Sequence, residues 1–577
     1  MALADVEPAR DPTAFAPIAV EGRNCWRRVA ADRVTLLVDA EHYFLALKSA
    51  LLRARRSILM LGWDFDSRTE LDRSPAAFRP NTIGGVLNYV VRHRRALKAR
   101  VLIWDTALVY SWDREFLAWA KFRWLTPRRL DFRLDNSHPL GACHHQKIVV
   151  IDDRLAFIGG LDVSSGRWDT RAHALGDPRR ADPLVSGYSP FHDAMLMLSG
   201  DAAAALAEVA RQRWRLATGQ MLKPVPAEAA DPWPPQVEPA MRGVTVAIAR
   251  TLPAWEGGQA VREVERLYLD MVAAARRFIL LENQYFASRS VSRALLSRLA
   301  EDAAPDLVVI SCQEPVVMLE RTTMGAGRAR LTARLRRADR GGRLRLYTPV
   351  NHGQEIKVHT KLAVIDDTVL RVGSANLNNR SMGLDTECDV LIEALGDPEI
   401  EAAIRRIRCD LLAEHLGTSP ERVDLATARL GVGEGVDSLR GGPRDLVPVE
   451  LPDAPADLMA ELFDPDVALE AALVDATEAT IDKATGGPAL PRWLDRATID
   501  LAVSLLVGAA YALAWRIVPE AMSGWLGPAM SWALNLAAGA FGLPAVLLAF
   551  VVGGLLNVPM TLLLAGCGAL YGPWLGW

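Results

Sequence analysis

Several features are missing from this sequence, and each absence narrows what it can do. It has no excess of positive charge: 66 Lys and Arg against 69 Asp and Glu give a formal net charge of −3. A general attraction to nucleic acid is therefore not expected, and any anion must be held by local clusters. The six cysteines (Cys25, Cys143, Cys312, Cys388, Cys409 and Cys567) show no CxxC or CxxH spacing. Neither a zinc ribbon nor a disulfide framework is indicated. The first residues, MALADVEPARDPTAF, carry acids and prolines instead of a basic segment before an apolar core, which excludes a secretory signal.

What is present is a duplication. The stretch 144–169 reads HHQKIVVIDDRLAFIGGLDVSSGRWD, and His145, Lys147 and Asp152 fit HxKxxxxD. The pattern returns as HTKLAVIDDTVLRVGSANLNNRS, with His359, Lys361 and Asp366 in the same places. The apolar run after each lysine suits a strand buried on both faces. Period-two alternation sets each histidine and its lysine on one face, within reach of one ligand oxygen. A lone HxK is most often a satisfied core histidine. Two copies, each followed by a tight glycine turn (Gly159-Gly160, then Gly373-Ser374), make that reading untenable. A helix-to-strand unit is also repeated, with Ala54-Arg55-Arg56 then Ile58-Leu59 matching Ala275-Arg276-Arg277 then Ile279-Leu280.

At 577 residues the chain exceeds the size at which single cores stop growing, about 250 to 300 residues. The pattern divides it into an N-terminal arm (1–32), two repeats (33–235 and 236–432), an acidic, proline-bearing connector (433–492) and an apolar C-terminal part (493–577). Helices alternating with apolar strands predict an α/β fold with a mixed β-sheet in each half, flanked by helices. Two further helices are predicted, an aromatic and basic one over 112–129 and an arginine-rich one over 328–345. A short helix is expected near 467–476. Residues 499–518 supply about the 20 apolar residues that span a bilayer, with Arg492 and Arg496 before them. The expected partner is thus a membrane, with the repeats on its cytoplasmic side, at the plasma membrane of a bacterium. A second apolar stretch, 532–564, is interrupted by Gly542, Pro544, Gly553, Gly554 and Pro559 and suits a broken or re-entrant element.

Two histidines and two lysines converging on one point suit covalent phosphoryl transfer. One imidazole attacks phosphorus while the other protonates the leaving alcohol. Lys147 and Lys361, with Asn376 and Ser374 of the GSAN turn, would hold the non-bridging oxygens. No metal or other cofactor is called for, and no carboxylate cluster at metal-ligand spacing accompanies the motifs. Asp193 and Glu387, at matching places in the two repeats, are candidates to orient the histidines.

These residues resemble the phospholipase D superfamily over roughly 34–425. The likeness rests on both HxKxxxxD motifs, GGLDxxxGRWD at 159–169, ENQYF at 282–286 and GSANLNNRS at 373–381, and GRWD and ENQYF look most like its phosphatidylcholine-hydrolysing branch. The resemblance implies an active site at the pseudo-twofold interface of a duplicated domain, with His145 as nucleophile and His359 as general acid. It also makes Asp152 and Asp366, though members of the catalytic motif, structural and not chemical. It implies a phospholipid substrate cleaved to phosphatidate and an alcohol. The family's usual glycine after the early aspartate is replaced by Ala40. A phosphatidyltransferase such as a cardiolipin synthase, or a membrane protein that only binds head groups, are the other readings, and a nuclease is disfavoured by the acidic charge. The segment NVPMTLLLAGCGALYGPWLG is similar to the opening of DedA-type (SNARE-associated Golgi) membrane proteins. The oligomeric state is not legible.

Overall fold

The computed structural model describes residues 16–105, 126–139, 141–182, 185–226, 231–313, 328–329 and 331–449. The bilayer-spanning, re-entrant and 467–476 expectations lie outside these residues, as does most of 112–129. Among the described residues no helix is long and apolar enough to cross a membrane. Those within Met1–Trp104, Arg114–Ser137 and Cys143–Asp466 form one compact unit that holds both repeats.

Each repeat opens on a twelve-residue strand, Arg27–Val38 or Met241–Leu252, followed by a helix, Asp39–Arg53 or Glu263–Ala274. A buried strand comes next, Ser57–Gly62 or Phe278–Asn283. In the first repeat Leu130–Asp135, Lys98–Trp104 and Ser57–Gly62 run parallel. Ile148–Ile151, Leu155–Gly159, Ala194–Ser199 and Arg27–Val38 then continue the ladder antiparallel. The second repeat copies this order. Asp306–Ile310 and Leu344–Asn351 lie parallel beyond Phe278–Asn283. Lys361–Ile365, Val369–Gly373, Glu387–Glu393 and Met241–Leu252 follow antiparallel.

The two halves do not form separate sheets, as the sequence pattern suggested. Arg27–Val38 pairs antiparallel with Met241–Leu252, from Arg27 opposite Ile248 to Val34 opposite Met241, so one mixed sheet runs through both repeats. The cause is edge chemistry: each long strand would otherwise present a row of unpaired N–H and C=O groups, and pairing the two removes both edges. One apolar core crosses the junction, under the helices Asp201–Thr218 and Pro398–Leu416. On the opposite face each repeat has its own core, one under Asp39–Arg53 and Ile83–His93, the other under Glu263–Ala274 and Arg289–Leu299.

Two expected boundaries move. The arm set at 1–32 is packed from residue 16: Ala19 and Cys25 are buried and the Ile18 amide donates to Glu393 Oε1 at 2.6 Å. The connector set at 433 begins later, because Val432–Asp437 is helical and Arg444–Pro448 pairs with Leu344–Asn351 as an edge strand. Leu446 and Val449 are fully buried there, and an apolar pair spaced among prolines and acids was too short a signal to read. In the arginine-rich stretch 328–329 and 331–338 are helical, whereas Arg345 lies in the next strand and pairs with Asp437 at 2.9 Å. The five described cysteines are free and buried.

Candidate active site

Each HxK motif leads into a strand, Ile148–Ile151 or Lys361–Ile365, that ends one residue before its aspartate. Asp152 and Asp366 sit in turns at φ 53° and 57°. The Asp152 carboxylate accepts from the amides of Arg55, Arg56 and Ser57, each at 2.7 Å. Asp366 does the same for Arg276, Arg277 and Phe278 at 2.7, 2.7 and 2.8 Å. Each aspartate thus ties its motif to the helix-to-strand turn of its own repeat. Both are therefore anchors of the catalytic motif, the structural and not chemical place that the resemblance implied for them.

The histidines are oriented across the repeats. His145 Nδ1 lies 3.0 and 3.1 Å from the two oxygens of Glu387, which belongs to the second repeat. His359 Nδ1 lies 2.6 Å from Asp193 Oδ2, which belongs to the first. Backbone contacts hold each crossing. The His145 amide donates to the Thr386 carbonyl at 3.1 Å and the His359 amide to the His192 carbonyl at 2.8 Å. Neither repeat can build a working site alone, because each supplies the other's orienting carboxylate.

The Glu387 carboxylate also accepts from Ser374 Oγ at 2.5 Å and Ser381 Oγ at 2.7 Å. Ser374 was expected to bind phosphate. Its one proton is instead committed to Glu387, while its oxygen accepts the Cys388 amide at 3.0 Å, so it is a positioning residue. In the first repeat the matching position is Gly160, where a Cβ would stand 2.2 Å from Asp193 Oδ1. Glycine there leaves the room that the shorter Asp193 occupies.

Lys147 pairs with Asp162 at 3.2 Å, and its ammonium donates to the His145 carbonyl at 3.3 Å. Lys361 donates to Gln284 Oε1 at 3.1 Å and to the His359 carbonyl. Asn376, which matches Asp162, is buried, and its side-chain oxygen has no hydrogen-bond partner among the described residues. Burial, then the Lys147 and Lys361 ammoniums, hold the His145 imidazole well below its ordinary range. Burial, Lys361 and Arg167 do the same for His359. Burial drives Lys361 down to about 7 against the pull of Asp193. Burial raises Asp193 to about 7. Burial also raises Glu387 well above its ordinary range, so at rest the centre holds two neutral imidazoles among cations and carboxyl groups that hold their protons more tightly than usual, suited to attack and proton transfer on an anionic ester.

Sequence reasoning missed Asp162, Gln284, Ser381 and Arg167. Asp162 was findable, since it occupies the Asn376 position of the first motif. Gln284 lies inside ENQYF, and Arg167 inside GRWD, but spacing alone does not aim a side chain. Trp63, at the end of the second strand, sets its ring edge-on to His145 with centroids 6.4 Å apart.

This geometry defines a duplicated α/β site for phosphoester chemistry. Residues 50–314 match the family model described as Phospholipase D, and 268–407 one described as Cardiolipin synthase, PLD-like domain. The chain thus carries phospholipase D superfamily domains and is an enzyme of the phospholipase D-like type. It is 22% identical over 461 residues to Phospholipase D A of Dictyostelium discoideum, covering 67% of this chain and 36% of that protein. It is 23% identical over 471 residues to Phospholipase D2 of Bos taurus, covering 64% and 50%. Cardiolipin synthase B of Escherichia coli (strain K12) is 25% identical over 396 residues, covering 64% and 77%. The chain therefore spans half or less of the length of these two phospholipases. Among solved structures, phosphatidylserine synthase of Haemophilus influenzae Rd KW20 aligns with a TM-score of 0.46 at 13% identity, over 71% of this chain and 96% of that one.

Proposed function

We propose that the protein hydrolyses the head-group ester of a glycerophospholipid to phosphatidate and an alcohol, through a phosphohistidine. The observation that carries this reading is the pair of neutral imidazoles, each held at Nδ1 by a carboxylate of the opposite repeat. Such tethering leaves Nε2 of each ring for the reaction. His145 Nε2 attacks phosphorus and Glu387 offsets the positive charge that the ring acquires. His359 takes up a proton as the anionic diester binds, Asp193 holds the resulting imidazolium, and its Nε2–H then passes to the departing alkoxide. Lys147, Lys361 and Asn376 hold the non-bridging oxygens, and Arg167 adds a further cation beside His359. Water activated by His359 then cleaves the phosphohistidine.

A phosphatidyltransferase is the second reading, favoured by the match of 268–407 to the cardiolipin synthase model and by the 25% identity to Cardiolipin synthase B. An alcohol can replace water in the second half of the same mechanism. Incubation with phosphatidylcholine and, separately, with phosphatidylglycerol decides between them. Release of choline and phosphatidate supports hydrolysis, and cardiolipin without free choline overturns it. In this reading the protein works at a membrane surface through its apolar 499–518 stretch, with the repeats on the cytoplasmic side. Fractionation of expressing cells with and without that stretch tests the attachment.

A further inference from the structure

One residue before Asp193, the chain enters a second buried cluster that the proposed reaction does not use. Asp39, His173 and His192 have no exposed surface and Glu414 has 7%. Glu414 Oε1 lies 3.0 Å from His173 Nε2 and 3.0 Å from His192 Nδ1. Asp39 Oδ1 lies 3.0 Å from His192 Nδ1, and Asp39 Oδ2 3.5 Å from His173 Nε2. Four donor atoms, two imidazole nitrogens and two carboxylate oxygens, thus surround one point, all within 4.8 Å of one another. A tetrahedron with metal–ligand bonds of about 2.0 to 2.1 Å has edges of roughly 3.3 Å. The two Glu414 Oε1 contacts and the Asp39 Oδ1 contact, each 3.0 Å, lie slightly inside that length, and the contact of the other Asp39 oxygen, Oδ2, at 3.5 Å lies slightly outside it.

Two further observations point to a cation at the centre. Asp39 Oδ2 is fully buried and, beyond its 3.5 Å ion-pair contact with His173 Nε2, makes no hydrogen bond among the described residues. The second nitrogen of each imidazole meets its own carboxylate: His173 Nδ1 lies 2.9 Å from Asp169 Oδ2, and His192 Nε2 3.3 Å from Glu282 Oε2. Those outer groups are themselves held, Asp169 by Arg180 at 3.0 Å and Glu282 by His415 at 2.9 Å. Arg171 takes the other oxygen of Glu414. Carboxylate–imidazole pairs of this kind fix the tautomer and ring plane of metal-bound histidines.

We propose that Asp39, His173, His192 and Glu414 form a closed site for one divalent transition-metal ion, zinc by its donor set, separate from the HxK centre. All four ligands come from the protein and the site is sealed, which makes it structural and not catalytic. The ion clamps three segments of the first repeat to the helix Pro398–Leu416 of the second. It also fixes His192, whose carbonyl receives the His359 amide and whose neighbour Asp193 orients the His359 ring. The competing occupant is a pair of protons, one on each imidazole, which carries the same total charge. Binding the ion releases those protons.

The test uses the full chain in detergent, stripped with a strong chelator and titrated with zinc chloride against a fluorescent zinc indicator. One equivalent is expected per chain, with a rise in thermal midpoint. X-ray absorption at the zinc edge should show four nitrogen or oxygen ligands at about 2.0 Å with imidazole scattering. Glu414→Gln combined with His173→Ala should weaken binding at least a hundredfold, whereas His145→Ala should keep the full equivalent. Wild-type protein that takes up no zinc overturns the proposal. So does an absorption spectrum without imidazole, or nitrogen NMR showing both His173 and His192 doubly protonated in zinc-supplemented protein. The stoichiometry and spectrum are read on the wild type, so a variant that fails to fold does not spare the proposal.

Discussion

The crossing of the carboxylates makes an unequal prediction for two similar substitutions. Burial raises Glu387 well above the ordinary carboxylate range while the imidazole beside it is neutral, so Glu387→Gln removes the charge that this group carries opposite His145, at 3.0 Å, once the ring becomes cationic, while keeping the shape of the side chain. At an effective dielectric of about 20, two unit charges at that distance interact by about 5 kcal/mol. That stabilisation exists only once His145 becomes cationic, so it belongs to the transition state and to the phosphohistidine. Its full loss corresponds to roughly three to four orders of magnitude in rate. The amide oxygen of glutamine retains a neutral contact, so roughly a thousandfold loss is expected. The assay is rapid-quench measurement of the p-nitrophenol burst from a p-nitrophenyl phosphodiester, whose leaving group needs no proton. Glu387→Gln should lose the burst. Asp193→Asn should keep its rate within about tenfold on this ester and lose far more on an ester with an alkyl alcohol. A thousandfold loss from Asp193→Asn on the p-nitrophenyl ester, with Glu387→Gln nearly unaffected, would exchange the roles of the histidines. A loss under tenfold from both substitutions on both esters would refute the orienting role itself.

With its pKa near 7, Lys361 carries a charge below that pH and loses it above. The groups acting on it are Asp193 and Glu387, which favour the charged form, and Lys147 and Arg167, which oppose it, with burial opposing most strongly. For an anionic p-nitrophenyl diester, whose leaving group needs no proton from His359, kcat/KM should therefore fall on the alkaline side of about pH 7, with no acid limb from His145 until well below 6.5, and Lys361→Arg should remove the alkaline fall. Asp366→Asn takes charge from three backbone hydrogen bonds and should cost about 3 kcal/mol of stability, on the scale of hydrogen bonds to charged groups. Thermal melting should show this as a lowered Tm, while the folded fraction keeps its specific activity within a few-fold. A chain ending at 433 loses the Arg444–Pro448 strand and bares the Leu344–Asn351 edge, so it should melt earlier and aggregate, whereas a chain ending after 449 should not. Equal melting of the two truncations would contradict the assignment of that strand to the fold.

What the sequence made legible is what repeats at fixed spacing. The HxKxxxxD strands, the helix-to-strand turns that their aspartates anchor and the matched places of Asp193 and Glu387 were all readable as internal copies. Matching places suggested a shared role for the two acids, but no spacing could say which histidine each one meets. That depends on the pairing of Arg27–Val38 with Met241–Leu252, a contact between residues more than two hundred positions apart. The same pairing turned two expected sheets into one. Ser374 was misread because its motif position is also the point at which the longer Glu387 needs a donor, whereas the first repeat solves the same problem with Gly160 and a shorter acid.

The second cluster shows the limit most clearly. Asp39, His173, His192 and Glu414 have no mutual spacing that a metal motif would display, and a search for ligands close in sequence passes over them. Each nevertheless sits beside something readable: Asp39 opens the repeated helix, His173 follows GRWD and His192 precedes Asp193. In a duplicated fold, residues next to the repeated signals but absent from the repeat itself are where the two halves diverge. Because Asp193 matches Glu387, His192 matches Thr386, which is no metal ligand of this kind, so among the described residues the pseudo-symmetry generates no counterpart of the cluster. A group that the duplication does not explain, sealed from solvent and tied to the strand that carries the general acid, is where a property particular to this chain should be sought.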